Sequence, residues 1–174
     1  MLGLKQKEVR LLPHCVEWEA DARSAIFALK EIFGEKAPGI EHVGSTSVAG
    51  LPAKPIVDLA VGVRRFEDVW PLVARLEENG FFHVPQNDDE TQIFFSCRGE
   101  EADVRTRHIH VVLLEGKEWR DYLYFRDALR RDSNLRAQYA QLKKELGERF
   151  PKDRNAYTEG KAAWIQSVLN ENLL

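Results

Sequence analysis

A nine-residue run, Pro55 to Val63, is rich in Val, Ile and Leu and reads as a strand buried on both faces. It nevertheless carries an acid, Asp58, and it follows a cluster of small residues, Gly44-Ser45-Thr46-Ser47. An ionised carboxylate inside a strand is costly unless it is paired or bound to a cation. That conflict restricts what the chain can fold into more than any other feature.

The flanking pattern builds an α+β fold around this strand. Apolar residues at Trp18, Ala22, Ala25, Ile26, Leu29, Ile32 and Phe33 have helical spacing, and Gly34 is a stop. Residues 40–43 form a short strand leading into the Gly-Ser turn. A helix is expected over 67–79, closed by Asn79-Gly80, and a strand over Phe81–Val84. Pro85 to Glu90 is a polar loop, followed by strands over 91–97 and 104–114. Beyond Glu115-Gly116-Lys117 the texture becomes helical. Two segments lie in 118–149, with Asp132-Ser133-Asn134 as break and N-cap, and a last helix covers 154–172. Its apolar face is read as Ala162, Ile165, Val168 and Leu169. The expected architecture is a mixed β-sheet flanked by helices, as one domain over 1–174 with a helical tail from 117 packed on it.

Composition bounds the function. In 174 residues, 25 basic side chains meet 28 acidic ones, a net charge of −3, so overall electrostatics do not recommend nucleic acid. Cys15 and Cys97 fit no metal or redox spacing, which suits a reduced, cytoplasmic protein. No apolar run approaches the roughly 20 residues of a membrane span, and the N-terminus lacks a signal peptide's apolar core.

A Gly-Ser turn can offer backbone N–H groups and hydroxyls to an anion, and an acid on the next strand can hold Mg²⁺ beside that anion. Gly44, Ser45, Thr46 and Ser47 are then phosphate-binding candidates, Lys54 balances phosphate charge, and Asp58 is the candidate catalytic and metal-holding acid. The turn can equally be only a turn and a cap, and Asp58 an acid satisfied by nearby backbone.

"IEHVGSTSVAGLPAKPIVDLAV", "RTRHIHVV", "YFRDALRRDSNLRAQYAQLKKELGERF" and "AYTEGKAAWI" follow one another along most of the chain. Together they resemble the GrpB family, small bacterial proteins with a nucleotidyltransferase-like fold, also found fused to dephospho-coenzyme A kinase. The resemblance implies a central sheet bearing the nucleotidyltransferase Gly-Ser and Asp motif; the chemistry of those residues points to a nucleotide or other phosphate-containing small molecule, with a divalent metal, either Mg²⁺ or a transition metal. It does not imply catalysis. The wider superfamily sets two acids one residue apart on a strand to hold two metal ions. Here Ala60 stands where the second acid belongs.

The later strand offers His108 and His110, two apart and so on one face. They can bind a transition metal with Asp58, or be half-buried, hydrogen-bonded histidines. His14, His42 and His83 have no companion and read as structural, with His42 shaping the turn. Alternation makes the odd face of this strand core at Ile109 and Val111, which assigns Arg105 and Arg107 to its exposed start. In the tail, Arg126, Lys143 and Lys161 are candidates to grip phosphate, against the usual fate of a solvated charged face. The reading is a phosphate-ligand-binding protein without ordinary two-metal transfer, with an altered but active transferase as the alternative.

Overall fold

The structure is a computed structural model, and it describes residues 2–5, 8–101 and 103–171. Its strands are β1 (Leu4–Lys5), β2 (Gly39–Val43), β3 (Val57–Val63), β4 (Phe82–His83), β5 (Gln92–Arg98) and β6 (Val104–Leu113). Its helices are α1 (Glu17–Phe33), α2 (Val73–Glu78), α3 (Lys117–Arg131), α4 (Ser133–Arg149) and α5 (Arg154–Glu171). The strands form one mixed sheet in the order β2-β3-β6-β5-β4, with β1 paired to the start of β6. Only β3 and β6 run parallel; the other pairs are antiparallel.

Strand alternation divides the protein into two layers. The odd positions Val57, Leu59, Val61, Ile109 and Val111 are buried with Trp18, Ala22, Ala25, Leu29 and Ile32 of α1 in the main core. The even positions turn to the opposite face. There Val43, Ala60 and Val112 are buried with Trp119 of α3, and beside them Val48, Leu51, Leu129 and Tyr139 form a third cluster against α4 and α5.

Trp119 reaches the sheet because Gly39 and Gly62, paired across β2 and β3, present no side chain beneath it. A Cβ on Gly62 would lie 2.7 Å from Leu114 Cδ1 and 3.0 Å from the Trp119 ring. Asp132 caps α4 as expected: its carboxylate accepts from the backbone N–H groups of Asn134 at 2.8 Å and Leu135 at 3.0 Å.

Several expectations are corrected. The helix expected over 67–79 is regular only from Val73; before it, Phe66–Asp68 and Trp70–Leu72 form separate 3₁₀ turns. Pro71 is the cause, since it lacks an N–H and disfavours helical geometry in the residue before it. The strand expected over 81–84 shortens to Phe82–His83. On α5, Ala162 is exposed, while Ile165, Val168 and Leu169 turn inward as expected and the face runs on through Tyr157, Lys161 and Trp164. Trp164 holds this face by stacking on Tyr139, with centroids 4.9 Å apart and planes 9° from parallel. The expected last residue of this helix, Asn172, lies outside the described residues. Arg107 is not at an exposed strand start either. It is about a quarter exposed and forms a bidentate ion pair with Asp21 of α1.

If Trp119 over the paired glycines fixes α3, Gly62→Val should destabilise the protein by about 1–3 kcal/mol through overpacking. A lower urea midpoint at unchanged slope would register this; an unchanged midpoint would show that α3 is held elsewhere.

Candidate functional site

The register of β3 with β6 sets the centre of the site. Asp58 pairs with His108 and Ala60 with His110, all on the face toward α3, α4 and α5. Asp58 Oδ1 lies 3.3 Å from His108 Nδ1 and 3.4 Å from His110 Nε2. One donor atom from each of the three residues falls within 4.8 Å of the others. Burial works to raise the Asp58 carboxyl, but the two imidazoles override it and hold the group far below the usual carboxylate range. Burial also pushes the His108 imidazole down, with Asp58 opposing.

The other ring nitrogens are held too. His110 Nδ1 lies 3.1 Å from Gln92 Oε1 and 3.0 Å from the Tyr122 hydroxyl. His108 Nε2 accepts from the Arg154 guanidinium at 3.2 Å. Phe94 packs against both imidazoles, with ring centroids 5.2 Å away in each case.

Gly44 permits this arrangement from the β2 side. Its φ of 68° suits glycine, and a Cβ there would stand 2.7 Å from Asp58 Oδ2. The residues after it do less for a ligand than the sequence reading expects. The Ser47 hydroxyl donates to Gly44 O at 2.7 Å, and the Ser47 and Val48 N–H groups are also spent within the turn. Thr46 borders the cavity, but its hydroxyl bonds His42 Nε2 at 2.9 Å. Burial lowers His42 to about 4, so this partner is a neutral imidazole that shapes the turn. Ser45 keeps its place at the cavity, where its hydroxyl accepts from Lys143 Nζ at 3.1 Å.

A cavity of about 300 Å³ opens beside Asp58, bordered by Ser45, His108, Phe94 and four cations: Lys54, Lys143, Arg154 and Lys161. Asp58 is the single carboxylate among its lining residues. The Lys54 and Lys161 ammonium groups both lie over the Tyr157 ring, 5.1 and 4.7 Å from its centroid. Lys143 is fully buried and donates to Pro52 O and Ser45 Oγ. Burial, reinforced by the neighbouring cations, lowers Lys54 to about 7 and Lys143 to about 6. Lys161 falls to about 8 through burial, partly opposed by Asp58.

Two adjoining hollows extend the cleft. One, of about 320 Å³, continues past Arg154 and His108 to Arg105 and Gln86. The other, of about 480 Å³, runs from Ser45 and Asp58 to Tyr122, Phe125, Ile165 and Leu169, with Glu118 and Asp121 at its rim.

Thus Ser45, Thr46, Lys54, Asp58, His108, Lys143 and Lys161 meet in one place, with Gly44 and His110 on the adjoining hollow. Arg126 does not join them. It donates to Glu41 at 2.8 Å, to Asp127 at 2.8 Å and to His42 O at 3.1 Å, so it ties α3 to β2. Ser47 is likewise turned away, and its carbonyl accepts from Arg130. The sequence reading missed Arg154, Tyr122, Gln92, Phe94 and Tyr157 as site residues. A signal for Arg154 existed: it stands three residues before Tyr157 and seven before Lys161, on the same face of a helix.

A pair of Mg²⁺ ions does not fit these residues. Mg²⁺ demands oxygen ligands, and the centre offers one carboxylate and two imidazoles. The second acid is replaced by a fully buried Ala60. The donor set of one oxygen and two nitrogens instead matches a single borderline transition-metal ion.

No described helix is long and apolar enough to cross a membrane. The chain is 34% identical over 173 residues to the Glutamate-rich protein GrpB of Alkalihalophilus pseudofirmus, covering 98% of this chain and 99% of that protein. It is 27% identical to a protein of Mycolicibacterium paratuberculosis named Dephospho-CoA kinase, matching 92% of this chain but 45% of that longer protein. Its fold is also that of the crystal structure of conserved protein GrpB from Enterococcus faecalis. The TM-score is 0.84 at 29% identity, covering 93% of this chain and 96% of that one. A family model described as GrpB protein matches residues 8–171, nearly the whole chain, and the chain belongs to that family.

Proposed function

We propose that the protein binds a phosphate-bearing small molecule, with the phosphate in the cavity bordered by Lys54, Lys143, Arg154 and Lys161. One observation carries this reading: one buried cation, Lys143, and three half-buried ones, Lys54, Arg154 and Lys161, share a small cavity with a single carboxylate. Buried cations are unfavourable unless anions answer them. Neither Lys54 nor Lys161 has an ion-pair partner among the described residues, and both stand against one aromatic ring. A phosphate dianion supplies the missing charge and accepts several hydrogen bonds at once. The larger hollow toward Tyr122, Phe125 and Ile165 suits the apolar or aromatic remainder of the ligand, such as a nucleoside.

Ala60 and the single carboxylate support binding without two-metal transfer. Magnesium-dependent pyrophosphate release from nucleoside triphosphates would overturn that part. The relative named Dephospho-CoA kinase makes dephospho-coenzyme A and its precursors the first ligands to screen, beside nucleotides.

Calorimetry with phenyl phosphate tests the site directly. Wild type should bind it. Lys54→Met and Lys161→Met should each weaken binding about tenfold or more, the scale of one lost charge-assisted hydrogen bond. Arg126→Met should leave binding within about threefold, because Arg126 is engaged by Glu41 and Asp127. No binding to wild type, or equal loss in all three variants, would refute the assignment.

The lysines also set a pH dependence. Their values of about 6, 7 and 8 in the free protein rise when an anion arrives, so binding takes up protons. Sulfate, a dianion throughout, should therefore bind more weakly as pH rises from 6 to 9. The unliganded protein should change in the opposite sense. These lysines are depressed relative to the unfolded chain, which binds more protons between the folded values and about 10.5, so stability should rise with pH across that window. Urea unfolding at several pH values, with and without sulfate, measures both trends.

A further inference from the structure

The proton position on His108 follows from a donor that can only donate. A guanidinium has no acceptor, so Arg154 donates to His108 Nε2, which must hold a lone pair. The His108 proton then sits on Nδ1, facing Asp58 Oδ1 at 3.3 Å. His110 Nδ1 faces Gln92 Oε1 at 3.1 Å and the Tyr122 hydroxyl at 3.0 Å, which leaves Nε2 toward Asp58 Oδ1 at 3.4 Å. Both histidine nitrogens and the carboxylate oxygen thus converge on one point, where a cation can sit among them.

The spacing suits a metal ion. Ligand atoms bonded at about 2.0–2.1 Å around a tetrahedral ion stand about 3.3–3.4 Å apart. Those are the separations of Asp58 Oδ1 from the two histidine nitrogens. Gln92 and Tyr122 hold His110 in the orientation a ligating imidazole needs.

His108, however, can ligate through Nδ1 only after its proton moves to Nε2. An Nε2–H would then confront the Arg154 N–H donor. Arg154 must therefore leave His108 when the metal enters. Arg154 also borders the cavity assigned above to the phosphate, which can accept the hydrogen bonds released.

We propose that Asp58, His108 and His110 hold one borderline divalent transition-metal ion, of the Zn²⁺ or Co²⁺ kind, and that Arg154 couples this ion to the phosphate. The coupling rests on the phosphate reading, whereas the metal site does not. With the anion absent, Arg154 bonds His108 and resists the metal. With the anion present, Arg154 turns to it, and each ligand favours the other.

Co²⁺ is the probe, because a tetrahedral Co²⁺ site absorbs strongly in the visible. Chelator-stripped protein is titrated with Co²⁺, with and without phenyl phosphate. One ion per chain should bind, and His110→Ala, checked for folding by circular dichroism, should abolish the tetrahedral bands. Phenyl phosphate should tighten Co²⁺ binding to wild type roughly tenfold, the scale of one hydrogen bond exchanged at a charged group. Arg154→Met should bind Co²⁺ roughly tenfold more tightly than wild type without any anion, and gain less from phenyl phosphate. No Co²⁺ binding by wild type, or weaker binding by Arg154→Met, overturns the proposal. Failure of phenyl phosphate to bind metal-free wild type would instead sink the phosphate reading, and the anion-free Arg154→Met comparison would still decide the metal site.

Discussion

The parallel pairing of β3 with β6 is the constraint on which the rest of the molecule depends. Its register is fixed on the core face, where Leu59 and Val61 lie opposite Ile109 and Val111 and all four are buried against α1. Each such side chain contributes about 1.5–3 kcal/mol when fully buried. A slip of one residue would throw all of them onto the other face. The opposite face inherits this register without choosing it. Asp58 therefore lies beside His108, and Ala60 beside His110, because hydrophobic burial one residue away has already decided the alignment.

The basic residues of the protein separate into two kinds by whether a carboxylate answers them. Arg107 is held by Asp21, and Arg126 by Glu41 and Asp127. These pairs join α1 to β6 and α3 to β2, so they serve the fold. Lys54 and Lys161 are answered instead by a tyrosine ring, and Lys143 by a hydroxyl and a carbonyl. A ring face or a neutral oxygen offsets only part of the desolvation of an ammonium. Hence burial lowers all three lysines, while the ion pair with Asp21 raises Arg107 against its own burial. The contrast marks where an anion is lacking.

Much of this was legible in the sequence. Period-two alternation placed His108 and His110 on one face, and the apolar run of β3 announced a buried strand around an acid; that the two strands are neighbours, which brings Asp58 to the histidines, comes from the sheet order. The helical tail was read in nearly correct pieces because Asp132-Ser133-Asn134 is strong punctuation. What stayed hidden depends on contacts between distant segments. The partners of Arg126 lie 85 residues upstream at Glu41 and in the next residue, Asp127, so its spacing alone could not show that it was already engaged. Pro71 was readable as a helix breaker, and the expectation of a helix across it gave apolar spacing too much weight. Thr46 and Ser47 look like ligand donors in a list of residues, yet His42 of β2 takes the Thr46 hydroxyl and the carbonyl of Gly44 takes that of Ser47.

Ala60 gains its meaning from the same register. In a strand that held two metal-binding acids one residue apart, the second carboxylate would project where Ala60 stands. Here Ala60 is fully buried beside Val43, Val112 and Trp119, and the imidazole of the residue opposite it, His110, reaches across to Asp58. The methyl group leaves room for that ring, whereas a carboxylate at position 60 would compete for the same space and attract its own cation. Replacing one acid by alanine and drawing in histidines from the neighbouring strand thus changes two properties together. The negative charge of the centre falls to that of one carboxylate, and the donor set shifts from oxygen toward nitrogen. A centre of that composition is too weakly charged to clamp two hard ions, and its nitrogen-rich donor set stands directly beside a basic cavity.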